Sequence, residues 1–402
     1  MAKTAGWDPK GTAAIAETTT ETMFQEDHFH LLRNEQSDKL VIFFTATGRI
    51  PRLFNFWGVG NALVSDYNIL FVNGFKNSWY QDGVKGMGED LAGTIDWIRT
   101  WCSEAGVTDI LCTGQSMGGY GALLFGGLLK ARALAFAGET VLQLPHSRFN
   151  HLADKDTELL YPSIAGAFPE GFDATLIIGE NDPVDIISAE YLRKMPGAKI
   201  IPMKHVGHGP AGYLRNRERL EPVLRAWIEG EELPEFPELG HSMEAAGFSQ
   251  AFYDGYVHFK NKKYEMAIRR LSRAINLYPT HEEVRRLKAC ALLQIGKNVE
   301  ALEQSAVALA LYPSSEANYD WGRVLRGVGE YEESRKVFVK MLRQWPNHHR
   351  ALYALGITLL KMGKRDQAEI RFNQAYALQP KNENYRKRAT VDTTSCQTQN
   401  QG

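Results

Sequence analysis

The sequence predicts an α/β domain with a mostly parallel sheet, followed by an all-α array of helical repeats. Up to about residue 230, short apolar runs alternate with helical patterns, which is typical of a parallel sheet covered by helices. Beyond that point almost every segment has a helical pattern. This second part also repeats itself at a period of about 34 residues, which indicates a stack of similar helical units.

The predicted strands are short and apolar, as expected of strands that are buried on both faces. They cover residues 40–44, 68–72, 109–112, 131–136, 175–178 and 198–201, with helical patterns at 88–104 and 117–130. The segment 138–172 is longer than a usual connection and mixes His, Arg, Asp and Tyr. Connections of this length are usually functional or mobile. We therefore treat it as a candidate cap over a site, in which His146 and Arg148 would either meet a polar substrate or lie on the surface.

The composition of the 402-residue chain is ordinary for a globular protein, with 44% hydrophobic and 23% charged residues. The net charge is −1, from 46 Lys and Arg against 47 Asp and Glu, so charge gives no case for nucleic acid or an anionic membrane surface. The four cysteines lack CxxC spacing, which argues against a zinc site and fits reduced thiols in a cytoplasmic protein. No metal or cofactor motif, secretory signal or transmembrane segment is predicted.

Four prolines mark the ends of the repeats at nearly equal intervals: Pro279, Pro313, Pro346 and Pro380. Small residues recur at fixed distances before them. The first position holds Gly255, Ala289, Gly322 and Gly356, the second Ala267, Ala301, Ser334 and Ala368, and the third Ala274, Ala308, the exception Met341, and Ala375. A turn signal lies in the middle of each unit, at Asn261, Gly296, Gly329 and Gly363. Small side chains let two antiparallel helices approach closely, and proline ends the second helix.

This array resembles tetratricopeptide repeats over about residues 247–385, in about four units. The resemblance implies helix pairs that stack into a curved surface. Such a surface would bind a protein or peptide partner, or mediate self-association.

The chemical signal in the first part is G-x-S-x-G, within the string GQSMGG. It follows an apolar strand and opens a helix, which is the context of a nucleophile elbow. Ser116 would stand on a sharp turn with its hydroxyl clear of the sheet. Gly114 and Gly118 would remove side chains that collide with the neighbouring strand and helix.

A serine hydroxyl needs a base, and the base needs an orienting carboxylate. In an elbow arrangement the chain order is Ser, then acid, then His. The acid is predicted to be Asp182, a few residues past the strand at 175–178, with Asp185 and Glu180 as rivals. Asp182 capping the next helix is the structural alternative. The base is predicted to be His208, on a glycine-rich loop, with His205 as the runner-up.

These residues make the region from 27 to 229 similar to the α/β-hydrolase fold, and the string from Ser116 to Leu123 is similar to that of its serine esterases. The resemblance implies ester or thioester chemistry through an acyl-enzyme on Ser116. Two backbone N–H groups would form the oxyanion hole, one from Met117 and one from the loop after the first predicted strand. Thr47 is the choice there, and Ala46 stays open. This loop lacks the His-Gly pattern that is common in the family.

The sequence thus predicts an N-terminal flexible segment (1–26), an α/β-hydrolase domain (27–229), a linker (230–246), a tetratricopeptide-repeat domain (247–387) and a disordered tail (388–402). The predicted function is a serine esterase, acyl hydrolase or acyltransferase. A small-molecule or carbohydrate-linked acyl group is the expected substrate, with a protein or peptide partner on the repeats. The alternative is a catalytically silent scaffold whose repeats bind a protein.

Overall fold

A computed structural model describes residues 21–48, 50, 52–74, 76–169 and 172–389 of the chain. The chain forms two compact units. The first lies within Met1–Gly179 and Ser188–Pro237, and the second comprises Glu180–Ile187 and Glu238–Gly402. The segment Glu180–Ile187 is thus enclosed in sequence by the first unit but belongs to the second.

The first unit is built on one eight-stranded sheet with the order β1-β2-β4-β3-β5-β6-β7-β8. The strands from β3 to β8 are parallel, while β1 and β2 are antiparallel to their neighbours. Their bounds are β1 Glu21–Gln25, β2 Phe29–Arg33, β3 Lys39–Phe44, β4 Asn68–Val72, β5 Asp109–Gln115, β6 Arg132–Phe136, β7 Ala174–Gly179 and β8 Ala198–Met203. All six predicted strands are therefore confirmed, and β1 and β2 were missed.

The connections that make the sheet parallel are helical. The helices up to the end of the first unit are α1 Trp57–Leu63, α2 Leu91–Ala105, α3 Met117–Leu129, α4 Arg148–Leu152, α5 Pro183–Leu192, α6 Pro210–Arg215 and α7 Leu220–Glu229. Helix α2 begins where the Asp90 carboxylate accepts the Gly93 N–H at 2.7 Å. It ends at Gly106, which takes a φ of 74°.

Side chains alternate between the two faces of the sheet, and both faces are buried. On one face the ring of Phe43 stacks on Phe71 with centroids 5.5 Å apart, in a cluster that includes Leu63 of α1 and Trp227 of α7. On the other face Phe44 packs against Phe125 of α3 at 4.9 Å. Full burial of such side chains contributes roughly 1.5–3 kcal/mol each. The continuous apolar strands of the sequence reflect this two-sided burial.

The second unit consists of helix pairs. The helices are α8 Phe248–Lys260, α9 Tyr264–Leu277, α10 Glu282–Gln294, α11 Asn298–Leu311, α12 Ser315–Gly327, α13 Tyr331–Gln344, α14 His349–Lys361, α15 Arg365–Leu378 and the short α16 Glu383–Arg386. The second helix of every pair ends two residues before its proline, as the repeat pattern predicts. A short 3₁₀ helix, Ser242–Glu244, precedes the array.

The recurring small residues lie where the helices of a pair touch. A Cβ added to Gly322 would lie 2.7 Å from the ring of Phe338, and one added to Gly356 would lie 2.6 Å from the ring of Phe372. At the second small position the third unit has Ser334, which is fully buried. Its hydroxyl donates to the carbonyl of Gly322 at 2.8 Å, so the polar group is satisfied inside the pair.

The turn in the middle of each unit requires a left-handed residue. Gly296, Gly329 and Gly363 supply it with φ values of 74°, 94° and 76°. In the first unit the equivalent residue is Lys262 at 59°, whereas the predicted turn residue Asn261 has a φ of −82°. Lys262 lies one full repeat before Gly296, so the sequence comparison was one residue out at this turn.

Strand β1 lies inside the segment that was predicted to be flexible. It is ordered there because it pairs with β2 and extends the sheet at that edge. The first twenty residues of that segment, and the predicted tail from 390 onward, lie outside the described residues. Among the residues that are described, the structure has no helix that is both long enough and apolar enough to cross a membrane.

Candidate active site

Ser116 occupies a strained turn between β5 and α3. Its φ and ψ are 60° and −121°, a combination that non-glycine residues rarely adopt. The turn is held because the Ser116 N–H donates to the carbonyl of Phe136, at the end of the next strand, at 2.9 Å. The residue is half-buried at the carboxyl end of the sheet. This geometry presents a side chain away from the strand that precedes it.

The glycines of the motif are sterically required. A Cβ on Gly114 would lie 2.4 Å from the carbonyl oxygen of Gly118, and a Cβ on Gly118 would lie 2.2 Å from that of Phe44. These obstacles are backbone atoms, so no side-chain rotation relieves them. The close approach of β5, α3 and β3 at this point therefore depends on both glycines.

His208 lies on the loop between β8 and α6, and its Nε2 is 2.8 Å from the Oγ of Ser116. That is hydrogen-bond distance for a hydroxyl and a ring nitrogen. The two residues are 92 positions apart in the chain, so the pairing is made by the fold alone. The runner-up, His205, lies in the turn after β8 with a φ of 65°.

The predicted acid follows β7, the strand next to β8. Gly179, the last residue of β7, packs against the His208 loop so closely that a Cβ there would lie 2.1 Å from the carbonyl oxygen of Gly207. Asp182 comes three residues later. One of its oxygens, Oδ1, accepts the N–H groups of Val184 and Asp185 at 3.0 Å each, which caps α5.

The two rival acids are both buried. Asp185 lies in the first turn of α5 with none of its surface exposed. Glu180 is 1% exposed, and its carboxylate accepts two hydrogen bonds from Ser242. The carboxylate of Glu180 is therefore engaged within the second unit.

The loop after β3 carries the predicted second oxyanion donor. The Thr45 N–H donates to Val72, and the Ala46 N–H donates to the side chain of Asn55 at 2.6 Å. The Thr47 N–H has no acceptor among the residues that the structure describes. Met117 is the first residue of α3, so its N–H has no acceptor within the helix. Thr47 and Met117 thus remain the two candidate donors.

Hydrogen bonds hold the segment between β6 and β7 in place. Gln81 forms a reciprocal pair with Tyr161, accepting its N–H at 2.8 Å and donating to its carbonyl at 3.1 Å. The buried carboxylate of Glu139 accepts the N–H of Arg148 at 2.6 Å and caps α4. The ring of His146 stacks near that of His151, with centroids 6.1 Å apart.

The three described cysteines are poor candidates for a nucleophile. Burial raises the pKa of Cys102 and of Cys290 to about 12, and raises that of Cys112 further. Because the thiolate is the reactive form, these side chains stay inert near neutral pH.

The second unit has a cleft with a volume of 310 Å³ on the first helices of its pairs. Asp320 lies in it, 1% exposed, and accepts from Arg323 at 2.9 Å and from Arg286. Burial raises the pKa of Glu283, although Arg286 opposes the shift. Residues from the loop after β7 also line the cleft, namely Asn181, Asp182 and Pro183.

Comparison with known proteins bears on the second unit. A family model of the tetratricopeptide repeat matches residues 313–381, and one of anaphase-promoting complex, cyclosome, subunit 3 matches residues 238–304. The C-terminal half carries tetratricopeptide repeats. They form a helical solenoid, and repeats of this kind suggest binding of a protein partner.

The chain is 35% identical over 97 residues to anaphase-promoting complex subunit 3 of Schizosaccharomyces pombe. This match covers 24% of the chain and only 14% of that relative. Among solved structures, the chain is similar to YrrB, a tetratricopeptide protein with an unusual peptide-binding site, at 19% identity and a TM-score of 0.32, over 44% of this chain and 87% of that one. A thermophilic tetratricopeptide protein of Thermus thermophilus is 22% identical with a TM-score of 0.33, over 35% and 78%.

Sequence reasoning missed three residues that hold predicted site residues, or the segments that carry them, by hydrogen bonds. Asn55 holds the Ala46 amide, Gln81 fastens the segment after β6, and Ser242 binds Glu180. None of the three belongs to a motif. Gln81 and Ser242 lie far in the sequence from their partners, and Asn55 lies in a loop without a pattern. No local signal could have found them.

Proposed function

We propose that this protein is a serine hydrolase or acyltransferase of the α/β-hydrolase fold, which forms an acyl-enzyme on Ser116, and that its repeats bind a protein or peptide partner. The observation that carries the proposal is the distance of 2.8 Å between Oγ of Ser116 and Nε2 of His208, on a serine held in a strained strand-to-helix turn. The mostly parallel sheet, with the serine between β5 and α3, supports the fold assignment.

In the first step His208 takes the hydroxyl proton as Oγ attacks the carbonyl carbon of an ester or thioester. The tetrahedral intermediate carries its negative charge on the former carbonyl oxygen, and the N–H groups of Met117 and Thr47 would stabilise it. One such donor accounts for roughly 3–4 kcal/mol of the barrier. The intermediate then collapses, the bond to the leaving group breaks, and His208 protonates the leaving oxygen or sulfur.

The second step reverses the roles. His208 removes a proton from water, or from the hydroxyl of an acceptor, whose oxygen attacks the acyl carbon of the ester on Ser116. The bond from that carbon to Oγ then breaks, and His208 returns the proton to Oγ. Water gives a free acid, and an acceptor hydroxyl gives a new ester. Asp182 would hold the imidazole in the productive tautomer. Its chain position supports this role, since it follows the strand beside the one that leads to His208.

A fluorophosphonate probe tests the proposal, because it phosphonylates only an activated serine. We expect wild type to be labelled and Ser116→Ala to lose the label. Ser65→Ala, which changes an exposed serine of the same unit, serves as the control and is expected to label like wild type. Hydrolysis of p-nitrophenyl acetate with and without added alcohols or sugars then separates hydrolase from transferase.

The second candidate function is a scaffold whose sheet-containing unit is catalytically silent. It is favoured by the family matches, both of which fall within the repeat-containing part of the chain. Wild type that resists the probe, in a folded sample, would support the scaffold and exclude the acyl-enzyme. Capture of a partner by the repeats is compatible with both candidates, so it does not discriminate between them.

A further inference from the structure

The loop Glu180–Asp182 carries the proposed catalytic acid, yet it belongs to the repeat-containing unit. Glu180 is its most strongly held residue. Its side chain is 1% exposed, and Oε1 accepts both the N–H of Ser242 at 2.8 Å and the Ser242 hydroxyl at 2.6 Å. Ser242 itself has no exposed surface. A buried carboxylate oxygen that accepts two hydrogen bonds is held in place, because moving it would break both bonds inside the protein.

The backbone and the next side chain of the loop are also held. The ring of His281 donates from Nε2 to the carbonyl of Glu180 at 3.1 Å. His281 is 3% exposed and its ring packs at 5.1 Å from that of Phe248, so this donor is fixed. The side chain of Asn181 donates to Glu282 at 2.8 Å. His281 and Glu282 lie at the start of α10, which is a helix of the repeat array.

The connector before the repeats also packs closely against the Glu180 carboxylate. Gly240 passes so close to Glu180 that a Cβ there would lie 2.1 Å from its carboxyl carbon. Only glycine lets the chain pass at this distance. The anchor therefore involves the connector, the 3₁₀ helix that follows it and the beginning of α10.

We infer that Glu180 is a positioning residue that acts through Asp182, the acid of the proposed triad. This inference rests on the proposed function. Asp182 is two residues from the anchor, and the Asn181 contact fixes the residue between them. A displacement of about 1 Å in a catalytic group can cost about 10²-fold in rate.

The test uses the full-length chain, with p-nitrophenyl acetate hydrolysis for kcat and KM and fluorophosphonate labelling as the second readout. We expect Glu180→Ala to lower kcat at least tenfold with KM within about twofold of wild type. Glu180→Gln keeps an acceptor of the same shape and is expected to retain at least about half of kcat. The exposed connector residue changed in Glu232→Ala provides the matched control, with no change expected.

The deciding measurement is the double variant. If Glu180 acts through Asp182, then adding Glu180→Ala to Asp182→Ala changes kcat by less than about twofold. If Glu180→Ala lowers kcat by the same factor in the wild-type protein and in the Asp182→Ala variant, the inference is overturned. An unchanged kcat in Glu180→Ala would also overturn it. If Glu180→Ala fails to fold, Ser242→Ala removes one donor and is expected to give a smaller loss with the same dependence on Asp182.

Failure of the proposed function is seen separately. Wild type that neither hydrolyses the ester nor takes the probe, or Ser116→Ala that does both, would overturn the proposed function and this inference together. Activity that depends on Ser116 and Asp182 but not on Glu180 would overturn only the inference.

Discussion

Gly118→Ala is the sharpest test of the packing that supports the candidate nucleophile. The added Cβ would lie 2.2 Å from the carbonyl oxygen of Phe44 and 3.1 Å from the carbonyl carbon of Thr45. Normal contact is about 1 Å longer than the shorter of these distances, so α3 and β3 must separate. Overpacking of this kind costs about 1–3 kcal/mol, while alanine in a helix regains up to about 1 kcal/mol. We therefore expect a net loss of unfolding free energy of about 1–2 kcal/mol.

The loss of reactivity should be larger than the loss of stability. Phe44 leads directly into the loop that carries Thr47, so a shift of β3 moves one candidate oxyanion donor away from the other. We expect the labelling rate by a fluorophosphonate to fall about 10²-fold in protein that is still folded. Labelling and urea unfolding, measured on the same sample, separate the two effects.

Gly212→Ala is the matched control, since Gly212 is a helical glycine in the same unit and nothing lies within 4 Å of its added Cβ. It should label like wild type and be more stable by about 0.5–1 kcal/mol. A Gly118→Ala protein as stable and as reactive as wild type would refute the packing argument.

Three other perturbations test local geometry. Lys262→Gly should raise the stability of the repeat unit in urea unfolding by about 0.5–1 kcal/mol, because a left-handed lysine at φ 59° is strained where glycine is not, whereas Gly296→Ala should lower it. Burial lowers the pKa of His30, so protonation of His30 opposes folding, and the urea midpoint of unfolding should fall as pH drops below 6.5. His30→Leu should reduce that fall. The same pH dependence in His30→Leu and wild type would contradict the role of His30. Asn55→Ala should slow fluorophosphonate labelling about tenfold by loosening the loop, whereas faster labelling would identify the released Ala46 N–H as the better donor.

The repeat array was predictable because its information is local and periodic. The glycines at the first small position pack against the other helix of their own unit, as Gly356 does against Phe372, so their spacing along the chain corresponds to a repeated contact. The turn of the first unit was placed one residue too early, at Asn261 instead of Lys262. The other units have glycine at this left-handed position, which marks the turn in the sequence, whereas lysine does not.

Strands β1 and β2 were missed for a different reason. In β2, His30 is only 6% exposed and lies next to Trp57, with ring centroids 5.2 Å apart. A histidine in an apolar strand breaks the simple pattern. Its burial depends on neighbours that come from β4 and α1, which the sequence of β2 does not contain.

The order of strands and helices, the period of the repeats and the G-x-S-x-G motif could all be read from the amino-acid sequence, because each is a pattern along the chain. Folding of the complete chain was needed to show which histidine lies beside Ser116, which amide of the loop after β3 is occupied, and that Glu180 is bound by Ser242 of the repeat-containing unit. Those choices depend on contacts between residues 9 to 92 positions apart. Such contacts form only when distant segments have packed together, so no local pattern encodes them.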